Sequence, residues 1–262
     1  MSEQKNYHLE CTGAALGTVK QHTESEDITL FGSCFCPFVQ RVWVALESPD
    51  EVDPYKKPAD LLEVSPKGLV PGLKLHKYTP PRALNESTVI LEYLEEALVR
   101  LQCDHVSRSI VPSFYRYLQA QEESAQIEHG KEFRAAIEGL VALLERAERE
   151  IVQGGGAAGV GEQKALGLGL GLWLEDGDLN LTDAVVAPWL FRATNVLKHY
   201  RGFEMPNGNK FDAWISRLFA HPAFKATCST EELYLDSYER YAQNRPNTSQ
   251  VANAINSGKP LP

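Results

Sequence analysis

The sequence of 262 residues has no long hydrophobic run. Apolar stretches such as Val185–Phe191 fall far short of the roughly 20 residues that a membrane-spanning helix needs. The first residues, MSEQKNYHLE, have no apolar segment of the kind that secretion signals contain. We therefore expect a cytoplasmic protein that has no contact with a membrane.

An excess of positive charge is also lacking. Lys and Arg total 26 against 35 Asp and Glu, which gives a formal net charge of −9. A surface of this sign is a poor match for nucleic acid and for anionic lipid head groups. The charge balance therefore predicts small-molecule or protein partners and no nucleic acid.

Cysteine is scarce and odd in number, which argues against a disulfide framework. The five cysteines are Cys11, Cys34, Cys36, Cys103 and Cys228. Cys34 and Cys36 lie close enough in sequence to raise the possibility of zinc, but no second Cys/His pair follows at a matching spacing. We expect no bound metal.

The first hundred residues contain short strand and helix patterns in alternation. Asp27–Phe31 alternates as a half-buried strand does, and Pro37 opens a helical pattern. Glu51–Asp53 can form at best a very short strand and Pro58–Val64 a short helix. Leu73–Tyr78 alternates again, and Ala83–Leu84 can pair back with it briefly. With a helix from Ser87 onward, the predicted order is βαβαββα.

The remainder of the chain is predicted to be almost entirely helical, with helices over 114–128, 133–150, 182–199, 211–219 and 230–240. Asn180 and Asp183 have the spacing of an N-cap and an N3 carboxylate at the start of the third of these helices. The chain therefore divides into a polar tail (1–26), an α/β domain (27–100), a linker (101–107), an all-helical domain (108–244) and a flexible tail (245–262).

Gly154–Gly159 matches the spacing GxGxxG of dinucleotide-binding loops. That motif requires a preceding strand that delivers the glycines to a helix N-terminus. Here a long charged helix precedes the glycines, so the sequence favours an ordinary loop.

The segment Cys36-Pro-Phe-Val39 places a cysteine where a helix begins after a strand. Helix N-terminal amides and the helix dipole favour a thiolate there and lower the pKa of the thiol. Val39 stands where dithiol oxidoreductases have a second cysteine, so an external thiol must resolve a mixed disulfide on Cys36. Cys34 is an imperfect substitute, because two such residues in an extended segment lie near the upper limit of roughly 6.8 Å for bridged Cα atoms. A buried, unreactive Cys36 is the alternative.

Several motifs in order resemble a glutathione transferase of the omega class, especially its fungal-type members. These motifs are Cys36–Arg41, Gly68–Pro71, Asn85–Ser87 with Leu91–Leu94, and Asp183 at the head of a later helix. The resemblance extends from about Thr29 to Phe224. It implies a thioredoxin-like glutathione domain followed by an all-α helical domain, and a homodimer.

The resemblance also assigns roles to residues. Cys36 is the implied catalytic cysteine, which forms a mixed disulfide with glutathione. The implied glutathione contacts are Phe38, Lys57, Leu69, Val70, Pro71, Glu86 and Ser87. Among them, Pro71 is the expected cis-proline and Val70 the backbone partner of the cysteinyl group. Glu86 and Ser87 would bind the γ-glutamyl carboxylate, and Lys57 the glycine carboxylate.

Aromatic residues of the helical domain are candidates for a pocket that binds small hydrophobic substrates. They are Tyr115, Trp189, Phe191 and Trp214, although aromatic residues at helical spacing more often form a core.

The implied activity is glutathione-dependent thiol transfer, including deglutathionylation and reduction of small oxidised compounds such as dehydroascorbate, with a role in detoxification. The alternative is a non-enzymatic ligand-binding protein, or a relative of chloride intracellular channel proteins, which share Cys-Pro-Phe. One departure concerns Glu47–Val52, a connection shorter than the family's. It leaves room only for a vestigial edge strand and makes the placement of Lys57 uncertain.

Overall fold

The computed structural model describes residues 8–22, 28–46, 50–51, 62, 65, 67, 69–75, 82–87, 90, 100–153 and 170–261. Contacts divide the chain into two compact units. The first, which we call the sheet unit, contains Met1–Glu95 and His221–Ser237. The second, the helical unit, contains Glu96–Ala220 and Tyr238–Pro262.

The sheet unit contains a four-stranded sheet in the order β2-β1-β3-β4. The strands are β1 Ile28–Gly32, β2 Asp50–Glu51, β3 Gly72–Leu75 and β4 Arg82–Asn85. β2 is parallel to β1, whereas β3 is antiparallel to both β1 and β4. The predicted order of the strands along the chain is confirmed. β2 is very short, as we expected from the short connection that precedes it.

The helices with described bounds are, in chain order, α1 Gly13–Gln21, α2 Pro37–Leu46, α3 Arg100–His105, α4 Val111–Gln119, α5 Glu123–Gln153, α6 Leu181–Arg192, α7 Lys198–Arg201, α8 Asn209–Ala220, α9 Pro222–Ala226, α10 Glu231–Ala242 and α11 Gln250–Asn256. A π-helical turn, Val106–Ile110, joins α3 to α4, and a second, Ala193–Leu197, joins α6 to α7.

Gly32 at the end of β1 allows α2 to lie directly against the sheet. A Cβ atom at this position would be 2.3 Å from Cγ1 of Val39, a residue that is only 2% exposed. A larger residue would force helix and strand apart. The glycine therefore fixes where α2 begins relative to β1.

The sequence predicted an irregular tail before residue 27, but α1 forms there. Its Ala15 amide donates to the carbonyl of Cys228 at 3.1 Å, and the Thr18 hydroxyl donates to the carbonyl of Ala226 at 2.8 Å. These partners are more than 200 residues away along the chain. Tertiary contacts, which local composition does not show, therefore hold this helix in place.

The predicted linker 101–107 is also helical, because α3 continues through the first π-helical turn into α4. Val106, Ile110 and Phe114 are each 0% exposed. Their spacing of four residues places them on one buried face. The polar residues between them obscured this pattern in the sequence.

α5 is one helix where the sequence predicted two with a break near residue 130. Gly130 lies inside it, and a Cβ there would be 3.1 Å from Cζ of Tyr117. The glycine therefore provides space for a ring from α4. The actual break between α4 and α5 begins at Ala120, whose backbone is extended.

The last residues, predicted to be a flexible tail without an apolar face, contain α11. Ser249 caps this helix by accepting a hydrogen bond from the Ala252 amide at 3.0 Å. Gln119 of α4 donates through Nε2 to the Ala252 carbonyl at 3.3 Å. Capping and long-range hydrogen bonds replace the apolar face that the sequence lacks.

Four predictions fall wholly or largely outside the described residues: the short helix Pro58–Val64, the position of Lys57, the helical segment Leu91–Leu94, and the glycine loop Gly154–Gly159. The domain boundaries taken from the sequence stay predictions. No helix in the described part of the chain is both long and apolar enough to cross a bilayer.

Candidate functional site

One end of the sheet brings together segments that are far apart in sequence. Gly72 at the start of β3 pairs with Phe31 of β1 on one side and with Asn85 of β4 on the other. The antiparallel pairing therefore aligns the end of β1, the start of β3 and the end of β4. Cys36 follows β1 and Ser87 follows β4, so both lie near this end of the sheet.

Cys36 occupies the position immediately before α2. Its amide donates to the Ser33 carbonyl at 3.1 Å and closes a tight turn, while its carbonyl accepts from the Gln40 amide at 3.0 Å. The residue is half-buried. This is the helix N-terminal position that the sequence predicted, where amides and the helix dipole favour a thiolate.

Cys34 lies within this same turn, not in the extended segment that the sequence analysis assumed. It is half-buried, and its Sγ lies 3.8 Å from the carbonyl of His8, to which it donates. The backbone and the Nδ1 atom of His8 contact Asp236 Oδ2 at 3.3 and 3.0 Å. The segment before α1 therefore lies against the turn that carries the candidate cysteine.

The segment before β3 contains the expected cis peptide bond, between Val70 and Pro71. Val70 and Leu69 are half-buried, and Pro71 is buried. The Leu69 amide donates to the hydroxyl of Ser65, a buried residue, at 3.1 Å. These three residues stand at the start of β3, and their contact with glutathione stays a prediction.

Glu86 and Ser87 follow β4, and Ser87 is the first helical residue after the strand. Glu86 is exposed and has a positive φ of 68°, an uncommon conformation for a residue other than glycine. Its carbonyl accepts from the Ile90 amide at 3.0 Å. Ser87 is 6% exposed, so only a small part of it faces solvent.

Arg41 of α2 contacts two of the predicted glutathione residues. Its Nη2 atom donates to the Ser87 hydroxyl oxygen, and its guanidinium carbon lies 5.3 Å from the ring centroid of Phe38. Phe38 is half-buried, whereas Arg41 is 3% exposed. Arg41 belongs to the family motif Cys36–Arg41, but the resemblance assigns it no role. The sequence did contain a signal for this contact: a charged residue lies three positions after Phe38 on a helix with a buried face.

The candidate pocket aromatics lie in the interior of the helical unit. Trp189 and Trp214 are 0% exposed and Tyr115 is 3% exposed. The Trp214 indole donates to Asp183 Oδ1 at 2.8 Å, and Phe191 packs edge-on against Phe219 at 5.3 Å. This burial supports the core alternative, and a role in binding substrate stays a prediction.

Asp183 is the centre of a buried network in the helical unit. Its Oδ2 accepts from the amides of Leu172 and Asn180 at 2.8 and 3.1 Å, and its own amide donates to Asn180 Oδ1 at 2.9 Å. The predicted capping box is confirmed. Burial raises the pKa of Asp183 to about 6, while the hydrogen bonds from Leu172, Trp214 and Asn180 act in the opposite direction. All these partners lie inside the helical unit, so the network has a structural role.

Within the described ranges, no group of three His, Cys, Asp or Glu side chains is arranged to hold a metal ion.

Comparisons with known proteins agree on one family. Residues 35–97 match the family described as "Glutathione S-transferase, N-terminal domain". The crystal structure of glutathione transferase Omega 3C from Trametes versicolor is 31% identical, with a TM-score of 0.69 over 90% of this chain and 98% of that one.

Two further relatives are more distant. Pyrimidodiazepine synthase of Drosophila melanogaster is 27% identical over 241 residues, which span 84% of this chain and 88% of that protein. Rice GST1, whose structure was solved in complex with glutathione, is 19% identical, with a TM-score of 0.61 over 85% of this chain and 99% of that one. At that identity the rice protein shows a shared fold only.

Proposed function

The chain belongs to the glutathione transferase family, with its thioredoxin-like and all-helical parts, and we propose that it is an omega-like, glutathione-dependent thiol transferase. Glutathione is its co-substrate, and Cys36 is its catalytic residue. The similarity to an omega-class enzyme of Trametes versicolor supports the class.

The placement of Cys36 is the observation that carries this proposal. Its side chain is half-buried, and the residue directly precedes α2, near the end of the sheet that Ser87 also follows. A hydroxyl at this position could only hydrogen-bond to the thiol of glutathione. A cysteine can form a covalent bond with it, and the helix N-terminus favours the thiolate that this step needs.

The proposed reaction exchanges one disulfide for another. The Cys36 thiolate attacks the glutathione sulfur of a mixed disulfide RS–SG, the S–S bond breaks, and the RS⁻ group leaves and takes up a proton. The thiolate of a second glutathione then attacks the sulfur of the bound glutathione. Oxidised glutathione leaves, and the Cys36 thiolate is regenerated. In sum, RS–SG and reduced glutathione become RSH and oxidised glutathione.

The glutathione site in this proposal consists of the residues at the end of the sheet. Phe38 lies beside the tripeptide, and the backbone of Val70 pairs with the cysteinyl group as an added strand does. Ser87 donates to the γ-glutamyl carboxylate, with Glu86 next to it, and Lys57 binds the glycine carboxylate. A cytoplasmic homodimer that acts on small hydrophobic or glutathionylated compounds completes the proposal.

Replacement of the cysteine tests the proposal. In Cys36→Ser, we expect reduction of glutathione mixed disulfides to fall to the uncatalysed rate, because a hydroxyl cannot form the intermediate. Some conjugation of glutathione to electrophiles should appear, since a hydroxyl can stabilise glutathione's own thiolate. The measurement is glutathione-dependent reduction of a mixed disulfide, coupled to glutathione reductase.

Cys103→Ser is the matched control, because Cys103 is also half-buried but belongs to the helical unit. It should keep the wild-type rate. Thiol transfer by Cys36→Ser at the wild-type rate would contradict the proposed mechanism. Glutathione binding by a wild-type protein that catalyses no transfer would favour the non-enzymatic alternative.

A further inference from the structure

Arg41 of α2 is buried and contacts residues of the proposed glutathione site. Arg41 is 3% exposed, and its neighbours on α2, Val42, Trp43 and Val44, are at most 4% exposed. Arginine stays charged in proteins, and its burial is costly unless the charge and the N–H groups find partners. The partners of Arg41 therefore indicate its role.

Two of the contacts of Arg41 are with residues that the proposed function places on glutathione. Arg41 Nη2 donates to Ser87 Oγ, which belongs to the segment after β4. The guanidinium also lies over the ring of Phe38, at 5.3 Å from its centroid, one turn earlier on α2. A cation over an aromatic ring is held electrostatically, so Phe38 fixes the guanidinium in place.

The hydrogen bond determines how Ser87 can act. A serine hydroxyl has one proton to donate and lone pairs that accept, whereas arginine can only donate. Because the Ser87 oxygen accepts from Arg41, its proton stays available for another acceptor. A donor that itself accepts from a cation is polarised and donates more strongly.

We infer that Arg41 is a positioning residue for glutathione, which orients the Ser87 hydroxyl toward the γ-glutamyl carboxylate and strengthens it as a donor. This inference rests on the proposed function. In this role, Arg41 affects the binding of the γ-glutamyl carboxylate of glutathione and takes no part in the chemistry of the thiol at Cys36.

The test measures glutathione binding by calorimetry in Arg41→Met, Ser87→Ala and the double variant. We expect each single variant to raise the Kd by about 10- to 150-fold, as for a lost hydrogen bond to a charged group. The Kd of the double variant for glutathione should be no higher than the higher of the two single-variant values, because both changes remove the same interaction. In steady-state assays, Arg41→Met should raise the KM for glutathione and leave kcat nearly unchanged.

A glutathione analogue separates positioning from general support of the fold. The 4-aminobutanoyl analogue of glutathione lacks the γ-glutamyl carboxylate and keeps the rest of the tripeptide. We expect Arg41→Met to change the Kd for this analogue by less than about twofold, which is no more than the usual deviation from additivity between independent sites. Arg41→Lys retains the charge without the planar fork and should recover part of the affinity for glutathione itself.

Gln40→Met is the matched control. Gln40 is 3% exposed on the same helix, and its amide donates to the carbonyl and the hydroxyl of Thr227 at 3.1 and 3.0 Å. Its replacement should lower the melting temperature and leave the Kd for glutathione unchanged. If Arg41→Met does not fold, the comparison of Arg41→Lys with Gln40→Met takes its place.

Two results would overturn the inference. One is an equal loss of affinity for glutathione and for the analogue in the Arg41 variants. The other is an effect of Arg41→Met that adds fully to that of Ser87→Ala. Failure of the proposed function has a different result, since the wild-type protein would then bind neither ligand or bind without any transfer by Cys36.

Discussion

Each unit contains a buried charged side chain at the centre of a polar network, Asp183 in the helical unit and Arg41 in the sheet unit, and the two networks differ in the hydrogen-bonding groups that they leave available. In the helical unit, Asp183 accepts from the amides of Leu172 and Asn180 and from the indole of Trp214. In the sheet unit, Arg41 donates to the hydroxyl of Ser87, at the end of the sheet where Cys36 lies.

The contrast lies in the partner groups. The two amides and the indole each have one proton, and they give it to Asp183, so this network is closed and contributes to stability. Ser87 receives a hydrogen bond and still has a proton to donate, so the network of Arg41 is open toward a ligand. The same physical device, a buried charge with hydrogen bonds, thus stabilises one unit and, by our account, binds a substrate in the other.

The largest expected effect is on stability, in Asp183→Ala. The change leaves three buried N–H donors without their acceptor and removes the Asp183 half of the capping box at the start of α6. We expect a loss of about 3–5 kcal/mol in the free energy of unfolding, typical of a broken buried charged network. Denaturant titration followed by circular dichroism measures it.

Asp104→Ala serves as the control, because the Asp104 side chain is 54% exposed in its ion pair with Arg108. Its loss should cost less than about 1 kcal/mol. Equal effects of the two substitutions would remove the distinction between a closed buried network and a surface ion pair.

The pH dependence of stability follows from the raised pKa of Asp183. Burial brings this pKa to about 6, above its usual 3.8, so the folded protein binds the proton more tightly than the unfolded chain does. This group therefore adds stability as the pH falls below 6, and the contribution is lost as the pH rises through 6.

Between about pH 7 and pH 4, the wild type should gain on the order of 2–3 kcal/mol relative to Asp183→Asn, which does not titrate. Urea unfolding of both proteins across this range measures the difference. A difference that is independent of pH, or that grows toward high pH, would contradict the assigned pKa.

A smaller effect, on binding and not on stability, is expected at the ends of glutathione. Ser87→Ala should weaken binding by about 1.5–3 kcal/mol, because it removes a partner of an enclosed carboxylate. Lys57→Ala should cost less than ~1 kcal/mol, as for an exposed charge pair. Calorimetric titration of both variants checks the order. The reverse order would mean that the short connection Glu47–Val52 holds Lys57 firmly in place.

The smallest effect is expected for Cys34→Ser. Cys34 shares a turn with Cys36, and its Sγ contacts the carbonyl of His8 at 3.8 Å. A hydroxyl can make a similar contact, and the mechanism uses only one protein thiol, so the rate of thiol transfer should stay within about twofold. Loss of activity comparable to that of Cys36→Ser would show instead that Cys34 resolves the mixed disulfide.

The sequence predicted those parts of the site that depend on local chemistry. A strand, a tight turn and a proline place Cys36 at the start of α2, and the spacing of Asn180 and Asp183 predicts the capping box of α6. In both cases the interacting groups are within a few residues of one another, so local rules decide the structure. The cis bond before Pro71 came from the family resemblance.

The parts that the sequence did not predict depend on distant partners. Arg41 and Ser87 are 46 residues apart, and their contact depends on the register of the whole sheet. α1 is held by the carbonyls of Ala226 and Cys228, more than 200 residues later. Local periodicity carries no information about such contacts, which outweigh weak local propensities.

The mixed disulfide itself is the most direct test of the account. Wild-type protein incubated with oxidised glutathione and digested for mass spectrometry should carry one glutathione, on the peptide that contains Cys36, and reduced glutathione should remove it. Cys36→Ser should carry none. Glutathione on Cys34 or Cys103 in place of Cys36, or no adduct at all in the wild type, would contradict the claim that Cys36 is the catalytic thiol.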